Sequence, residues 1–177
     1  NNVERFAWQT SWGVSWRLIG AMIMMHGDDK GLVLPPKVAP IQVVIVPIYN
    51  ADKDEQTILD KIKEITEFLD SNNIRYHIDD RETVSPGFKF NEWELKGVPI
   101  RLEIGSKEID NNQITMFRRD INSKETFDIG DIYNVIKNTL DEIQANMYNH
   151  ANKFLNDNTF ISNDYNDFKN KINKGGF

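Results

Sequence analysis

Two stretches of this 177-residue sequence gather side chains that could do chemistry. In the first, Trp8-Gln-Thr-Ser-Trp-Gly-Val-Ser-Trp-Arg17, an alternating segment passes through Gly13 and Ser15 into a predicted helix. Arg17 then falls in the first helical turn, where its guanidinium and the free backbone N–H groups can converge on a phosphate. That arrangement suits a nucleoside triphosphate. On pattern alone, an arginine that snorkels or pairs with an acid accounts for the same residue. In the second stretch, Phe88-Lys-Phe-Asn-Glu-Trp-Glu-Leu-Lys-Gly-Val-Pro-Ile-Arg-Leu-Glu-Ile-Gly105, acids and bases are interleaved with aromatic rings. Reading an unpaired RNA base needs donors and acceptors aimed at its edges and a surface on which it stacks. Carboxylates can serve as the acceptors for the N–H groups of a base edge. Glu94 and Arg101, standing alone, also read as a surface ion pair between helix and strand.

Other chemistry is thinly supplied. Zero cysteines exclude disulfides, a thiolate nucleophile and thiolate zinc within these residues. The three histidines, His26, His77 and His150, are scattered. His26 is expected to serve the carbonyls at a helix end, and Asp28-Asp29 to be loop and cap residues, so no metal site is expected. A net charge of −6 argues against a wholly basic nucleic-acid binder, yet the 86–124 stretch is near neutral while 50–80 is acidic. Any nucleic-acid face should lie on 86–124.

The elements that must position these residues follow from periodicity. Residues 3–10 alternate as a strand, and 15–26 read as a helix apolar nearly all round, predicted to be buried and closed by Gly27. Its apolar core, 18–25, is too short to span a membrane, and no secretory leader is recognisable, which predicts a cytoplasmic location. Pro35-Pro36 marks a rigid connection, with a domain boundary near 38. The β-branched run 41–48 predicts a strand covered on both faces. A helix over 52–69 with acids in its first turn, a strand over 74–79, a short helix over 88–96 and a strand over 100–105 follow. A hairpin loop at 110–113, a strand over 114–119 and an amphipathic helix over 129–149 complete an α/β domain with a mixed sheet. Residues 150–177 read as polar helical material with apolar contacts.

The first block, Trp8 through Pro36, closely resembles motif 3 of class II prolyl-tRNA synthetases and the segment leading out of their catalytic domain. The second, Ser85-Pro-Gly-Phe-Lys-Phe-Asn-Glu-Trp-Glu-Leu-Lys-Gly-Val-Pro-Ile-Arg-Leu-Glu-Ile-Gly105, resembles the heart of the anticodon-binding domain of the same enzymes, in the family's order. The variety resembled is the archaeal/eukaryotic-like form. The resemblance implies an anticodon-binding domain over 38–149 with a roughly five-stranded mixed sheet flanked by helices. A strand-helix remnant of a class II catalytic domain over 1–37 would precede it, and the start of a C-terminal domain over 150–177 would follow.

It further implies a proline-tRNA ligase, which activates proline with ATP and Mg²⁺ and transfers it to tRNA(Pro), working in full as a homodimer. Ser15 would lie in the nucleotide pocket and Arg17 would contact ATP phosphate. Proline anticodons carry guanine at their second and third positions. Glu94 and Arg101 match the residues implied for one guanine, Lys107 and Glu108 those for the other, Phe90 lines the pocket and Lys124 lies near the anticodon loop. Two departures stand out: Trp16 replaces the small hydroxyl residue usual before the arginine, and Ser106-Lys107-Glu108 replaces Pro, a basic residue and Asp. The alternative is a stand-alone tRNA- or nucleic-acid-binding module without catalysis. Because the implied proline pocket is not among these residues, the chain alone is expected to show no proline-dependent pyrophosphate exchange.

Overall fold

The structure, a computed structural model, describes residues 4–49 and 55–176. The first element is α1 (Arg17–His26). The α/β body follows as β1 (Val43–Ile48), α2 (Glu55–Ser71), β2 (Tyr76–Ile78), α3 (Pro86–Leu95) and β3 (Ile100–Gly105). It continues with α4 (Ser106–Asp110), β4 (Gln113–Arg118), β5 (Ser123–Asp128) and α5 (Ile132–Asp157), and α6 (Tyr165–Ile172) closes the chain.

One five-stranded sheet organises the body, in the order β2-β1-β3-β4-β5. β2, β1 and β3 run parallel, whereas β4 and β5 return antiparallel. The mixed sheet expected from the sequence is therefore present. Its two faces separate by the period of two along each strand. Val43, Ile45, Ile100, Leu102, Ile104, Ile114 and Met116 point one way, onto Ile58, Ile62, Ile65 and Leu69 of α2 and onto Ile132, Ile136, Ile143 and Met147 of α5. Each such side chain contributes about 1.5–3 kcal/mol when fully buried. Val44 and Val46 point the other way and pack with Trp93 and Val98, flanked by Ile41 and Phe90. α3 thus covers β1 and β3 on that second face, while Lys124 and Thr126 of β5 stay exposed beyond it.

α3 is fixed at both ends. Ser85 caps its start by accepting from the Phe88 N–H, and Pro86 occupies the first turn, where no N–H is needed. At the other end the chain from 32 to 34 runs alongside: Leu32 N–H donates to Leu95 O at 3.0 Å and Leu34 N–H to Gly97 O at 3.2 Å. Gly97 has φ of 71° and would place a Cβ 2.5 Å from Leu32 O, so both conformation and space demand glycine there.

Several expectations from the sequence are corrected. Residues 4–16 form no strand and their side chains are exposed, while Val3 lies outside the described residues. A strand needs a neighbour for its N–H and C=O groups, and none of the sheet's strands lies beside this segment. α1 forms, but buries none of its residues, because no layer of the described chain covers it. Gly27 closes it in extended conformation rather than as a left-handed cap; a Cβ there would sit 2.7 Å from Ile23 O.

α2 carries Glu55 in its first turn as expected, while Asp52 and Asp54 lie outside the described residues. The expected 110–113 hairpin loop is instead the last residue of α4 and a turn with Asn112 at φ of 54°. β5 was not legible: Ser-Lys-Glu-Thr-Phe-Asp is an edge strand with little apolar alternation. α5 runs unbroken through 149 and 150 to Asp157, so the expected boundary at 150 falls inside a helix. Among the described residues no helix is long and apolar enough to cross a membrane.

Candidate functional site

The open half of the second sheet face carries a row of side chains set by register. Val44 pairs with Arg101, Arg101 with Phe117, and Phe117 with Lys124. α3 adds Phe90 and Glu94, four residues apart and so on one helix face. Arg101, its side chain only 6% exposed, lies against two rings, with its guanidinium carbon 4.3 Å from the centroids of both Phe90 and Phe117. Aromatic faces favour a cation in that position. Its edge is occupied as well: Nε and Nη2 donate to one Glu103 oxygen at 3.2 and 3.1 Å, and Nη1 donates to Glu94 Oε1 at 3.2 Å and to Phe90 O at 3.3 Å.

Glu103 uses its second oxygen to accept from Lys124 Nζ at 2.5 Å, and that ammonium lies 5.7 Å from the Phe90 centroid. Lys30 approaches the other Glu94 oxygen at 3.8 Å. The result is a cluster of two carboxylates and two cations with an aromatic floor. Lys124 is half exposed and Glu94 is reachable, whereas Glu103 and Arg101 are buried.

Of the residues expected from the sequence, Phe90, Glu94, Arg101 and Lys124 come together here. Lys107 and Glu108 do not. They occupy the first turn of α4, past the end of β3, and neither side chain makes a hydrogen bond or ion pair that joins it to the cluster among the described residues. The Glu108 carboxylate lies over Gly105, where an added Cβ would meet its oxygen at 2.9 Å. Ser15 and Arg17 stand exposed at the start of α1, where Ser15 O accepts the Leu18 N–H, and no ion pair joins Arg17 to another described residue.

Glu103 and Phe117 were missed. The signal for Glu103 was present in Arg101-Leu-Glu103, which puts both charges on one strand face, but Phe117 required the antiparallel register of β4.

Two further clusters hold this site in place. Asp79, just past β2, is buried and receives Arg81 Nε and Nη2 at 2.8 and 2.7 Å and Trp93 Nε1 at 2.7 Å. Buried Lys89 donates to the Asp79 carbonyl at 2.9 Å, and Arg81 also reaches Glu92 at 2.7 Å. The Arg81 hydrogen bonds hold the Asp79 carboxyl well below the usual carboxylate range, against the opposing effect of burial. This cluster fastens α3, and with it Phe90 and Glu94, to the sheet.

In the second cluster, Arg119 is 1% exposed and donates two hydrogen bonds to Asp28, at 2.8 and 2.6 Å, and one to Glu94 O at 3.0 Å. The Arg119 hydrogen bonds hold the Asp28 carboxyl well below its ordinary range. Asp28 is a loop residue as expected, accepting from Lys30 N–H, and it also ties the exit of α1 to the end of β4. His26 makes no side-chain hydrogen bond to a described residue, so the expected service to the helix-end carbonyls is not seen. Burial, and secondarily His150, lowers its pKa.

Residues 42–139, over half of the chain, match the anticodon binding domain family. The chain belongs to that family. The matched segment runs from β1 through the first turns of α5, and the Arg101 cluster falls inside it. Over nearly its whole length the chain is also similar to proteins named proline–tRNA ligase. It is 46% identical over 173 residues to the one from Amoebophilus asiaticus, covering 97% of this chain and 35% of that protein. It is 48% identical over 177 residues to the one from Parabacteroides distasonis, covering 100% of this chain and 36% of that protein. Against the one from Salinibacter ruber the identity is 45% over 177 residues. The chain spans about a third of the length of these curated relatives.

Proposed function

We propose that this chain is the part of a proline–tRNA ligase that reads the anticodon of tRNA(Pro), with a preceding segment that contributes to ATP binding. One observation carries the reading. In a domain of the anticodon-binding family, Phe90, Glu94, Arg101 and Lys124, drawn from a helix and two strands, converge on one open sheet face as a ring, an acceptor and two cations. An unpaired guanine needs that set: an aromatic surface, an acceptor for its N1–H and N2–H₂, and cationic donors for its acceptors and for nearby phosphate. Lys107 and Glu108, at the adjacent turn, serve the second guanine from outside the cluster.

The whole enzyme, in this reading, activates proline with ATP in the cytoplasm as a homodimer of the archaeal/eukaryotic-like variety. Residues 1–37 come from its catalytic domain, 38 onward form the anticodon domain, and the material following the long α5 begins a C-terminal domain. Ser15 and Arg17 face the nucleotide; Arg17, exposed in a first helical turn, has the position and charge to grip a phosphate. Among the described residues no group of three or more His, Asp or Glu side chains could hold a metal ion, so no step is assigned to Mg²⁺ on this chain.

The test is a binding titration of this chain with tRNA(Pro) and with a control tRNA across a salt series. Preference for tRNA(Pro), lost when either anticodon guanine is replaced by adenine, and affinity that falls steeply with salt are expected. Equal binding of both tRNAs at every salt concentration refutes the reading. Proline-dependent pyrophosphate exchange by this chain alone would refute the assignment of the remaining active site to residues outside it.

A further inference from the structure

Four of the five N–H groups of Arg101 are already committed, two of them to Glu103, one to Glu94 and one to the Phe90 carbonyl, and two rings lie against the guanidinium with centroids 4.3 Å from its carbon. A guanidinium so engaged has at most one N–H to offer a base. Glu94 is in the opposite condition. Its Oε1 accepts one hydrogen bond, and its Oε2 has only Lys30 at 3.8 Å, beyond hydrogen-bond distance. A carboxylate has about four acceptor sites, so Glu94 keeps most of its capacity. Glu103 has spent both oxygens, one on Arg101 and one on Lys124, and its side chain is 4% exposed.

We infer that Glu103 is the positioning residue of this site: it orients Arg101 and Lys124, so that Arg101 acts as a buried brace and Glu94 is the carboxylate that accepts from guanine. The inference rests on the anticodon reading proposed above. Its physical basis is competition for Arg101. While Glu103 takes the Nε and Nη2 edge, Glu94 receives only Nη1 and stays available to RNA. When the charge on Glu103 is removed, the buried guanidinium seeks the remaining carboxylate, and a two-pronged pair with Glu94 uses up the acceptor that would read the base. Lys124 is released at the same time, since a neutral amide offers its ammonium no negative charge and one of its two ends is an NH₂ donor.

Inosine lacks only the 2-amino group of guanine, so the affinity ratio of guanine-containing to inosine-containing tRNA(Pro) reads the Glu94 contact directly. The experiment measures that ratio for the 177-residue chain, with inosine placed at each anticodon guanine in turn. The wild-type chain is expected to favour guanine at one position by about tenfold, the worth of a hydrogen bond to a charged group. E94Q should bring the ratio close to one. E103Q should also bring it close to one although Glu94 is intact, and E94Q/E103Q should lower it no further. Glu103→Asp retains the charge, and with it the partner of buried Arg101, but shortens the reach. It should lose the ratio too, and it covers the case in which E103Q does not fold.

A ratio is insensitive to a general loss of folded protein, so a merely structural role would leave it unchanged. E103Q or Glu103→Asp with the wild-type ratio, or with affinity lowered equally for both RNAs, overturns the inference. R101K that loses affinity but keeps the ratio through Glu94 supports the brace. If the wild-type chain fails to distinguish tRNA(Pro) from the control tRNA, the anticodon reading falls and takes this inference with it. If it distinguishes them but E94Q leaves the ratio at ten, the reading stands and the assignment of Glu94 and Glu103 alone is overturned.

Discussion

Breaking the Asp28–Arg119 pair should cost more from its exposed end than from its buried end. Arg119 is 1% exposed, and Asp28 is its one carboxylate partner among the described residues, while the Asp28 side chain is 37% exposed. D28N therefore leaves a buried cation with neutral acceptors alone: the new amide oxygen, Glu94 O and Asn122 Oδ1. Removing one member of a fully buried pair costs about 3–5 kcal/mol. Solvent reaches the Asp28 side of this one, which lowers the expectation to about 2 kcal/mol, or about 4–8 °C in Tm for a chain of this length. R119M instead leaves an aspartate that water can solvate, and Glu94 O keeps the Gly97 N–H at 3.0 Å, so a loss of about 1 kcal/mol is expected.

The pH dependence adds a second, independent sign. Arg119 depresses the Asp28 pKa, so the pair's contribution is complete above the unfolded carboxylate pKa near 3.9 and is lost as pH falls through the lower folded value. The stability gap between wild type and D28N, measured by urea unfolding, should narrow between about pH 5 and pH 2. A gap that stays constant over that range, or R119M costing as much as D28N, would refute the account of which partner is stranded.

Other expectations concern the supports of the same site. D79N, at a carboxylate whose side chain has no exposure, should cost about 2–3 kcal/mol in denaturant unfolding and weaken tRNA(Pro) preference, because Trp93 and Arg81 hold α3 through it. As its folded pKa is also depressed, Asp79 should add to the loss of stability below about pH 4 that D79N no longer shows. Gly97→Ala should cost more than about 2 kcal/mol, since it forces a side chain into φ of 71° and against Leu32 O. Gly130→Ala, with nothing within 4 Å of the added carbon, is the matched control and should be near neutral. Arg17→Ala should change stability by less than about 0.5 kcal/mol, because the side chain is exposed; a larger loss in thermal unfolding would show that α1 is held by that residue.

Much of the fold was written locally. The run Ile41 to Ile48 is β-branched and apolar enough to be a strand covered on both faces, and the Ile58, Ile62, Ile65, Leu69 spacing admits one helix face against one sheet. Ser85-Pro86 announces the start of α3. Where local pattern failed, the missing information was about neighbours. Residues 4–16 alternate like a strand yet have no strand beside them, and α1 is apolar but has no layer over it among the described residues. β5 is a strand because β4 offers it an edge, not because its own residues demand one.

The candidate site divides the same way. Phe90, Glu94, Arg101 and Lys124 were legible because their blocks resemble a family. Within one helix and one strand, spacing alone also set Phe90 beside Glu94 and Arg101 beside Glu103. What the sequence by itself determined was the inventory: a ring, acids and cations on short regular elements, with no thiol among them. What only the tertiary structure decided was the roles. The antiparallel register brings Phe117 and Lys124 to Arg101, and the packing of α3 delivers Phe90 and Glu94 onto the same guanidinium. Burial then leaves Arg101 with at most one free N–H, both Glu103 oxygens taken and Glu94 open. Hydrogen-bonding capacity is a property of each residue type, but how much of it remains for RNA depends on which neighbours have already taken it, and those neighbours lie up to 21 residues away along the chain.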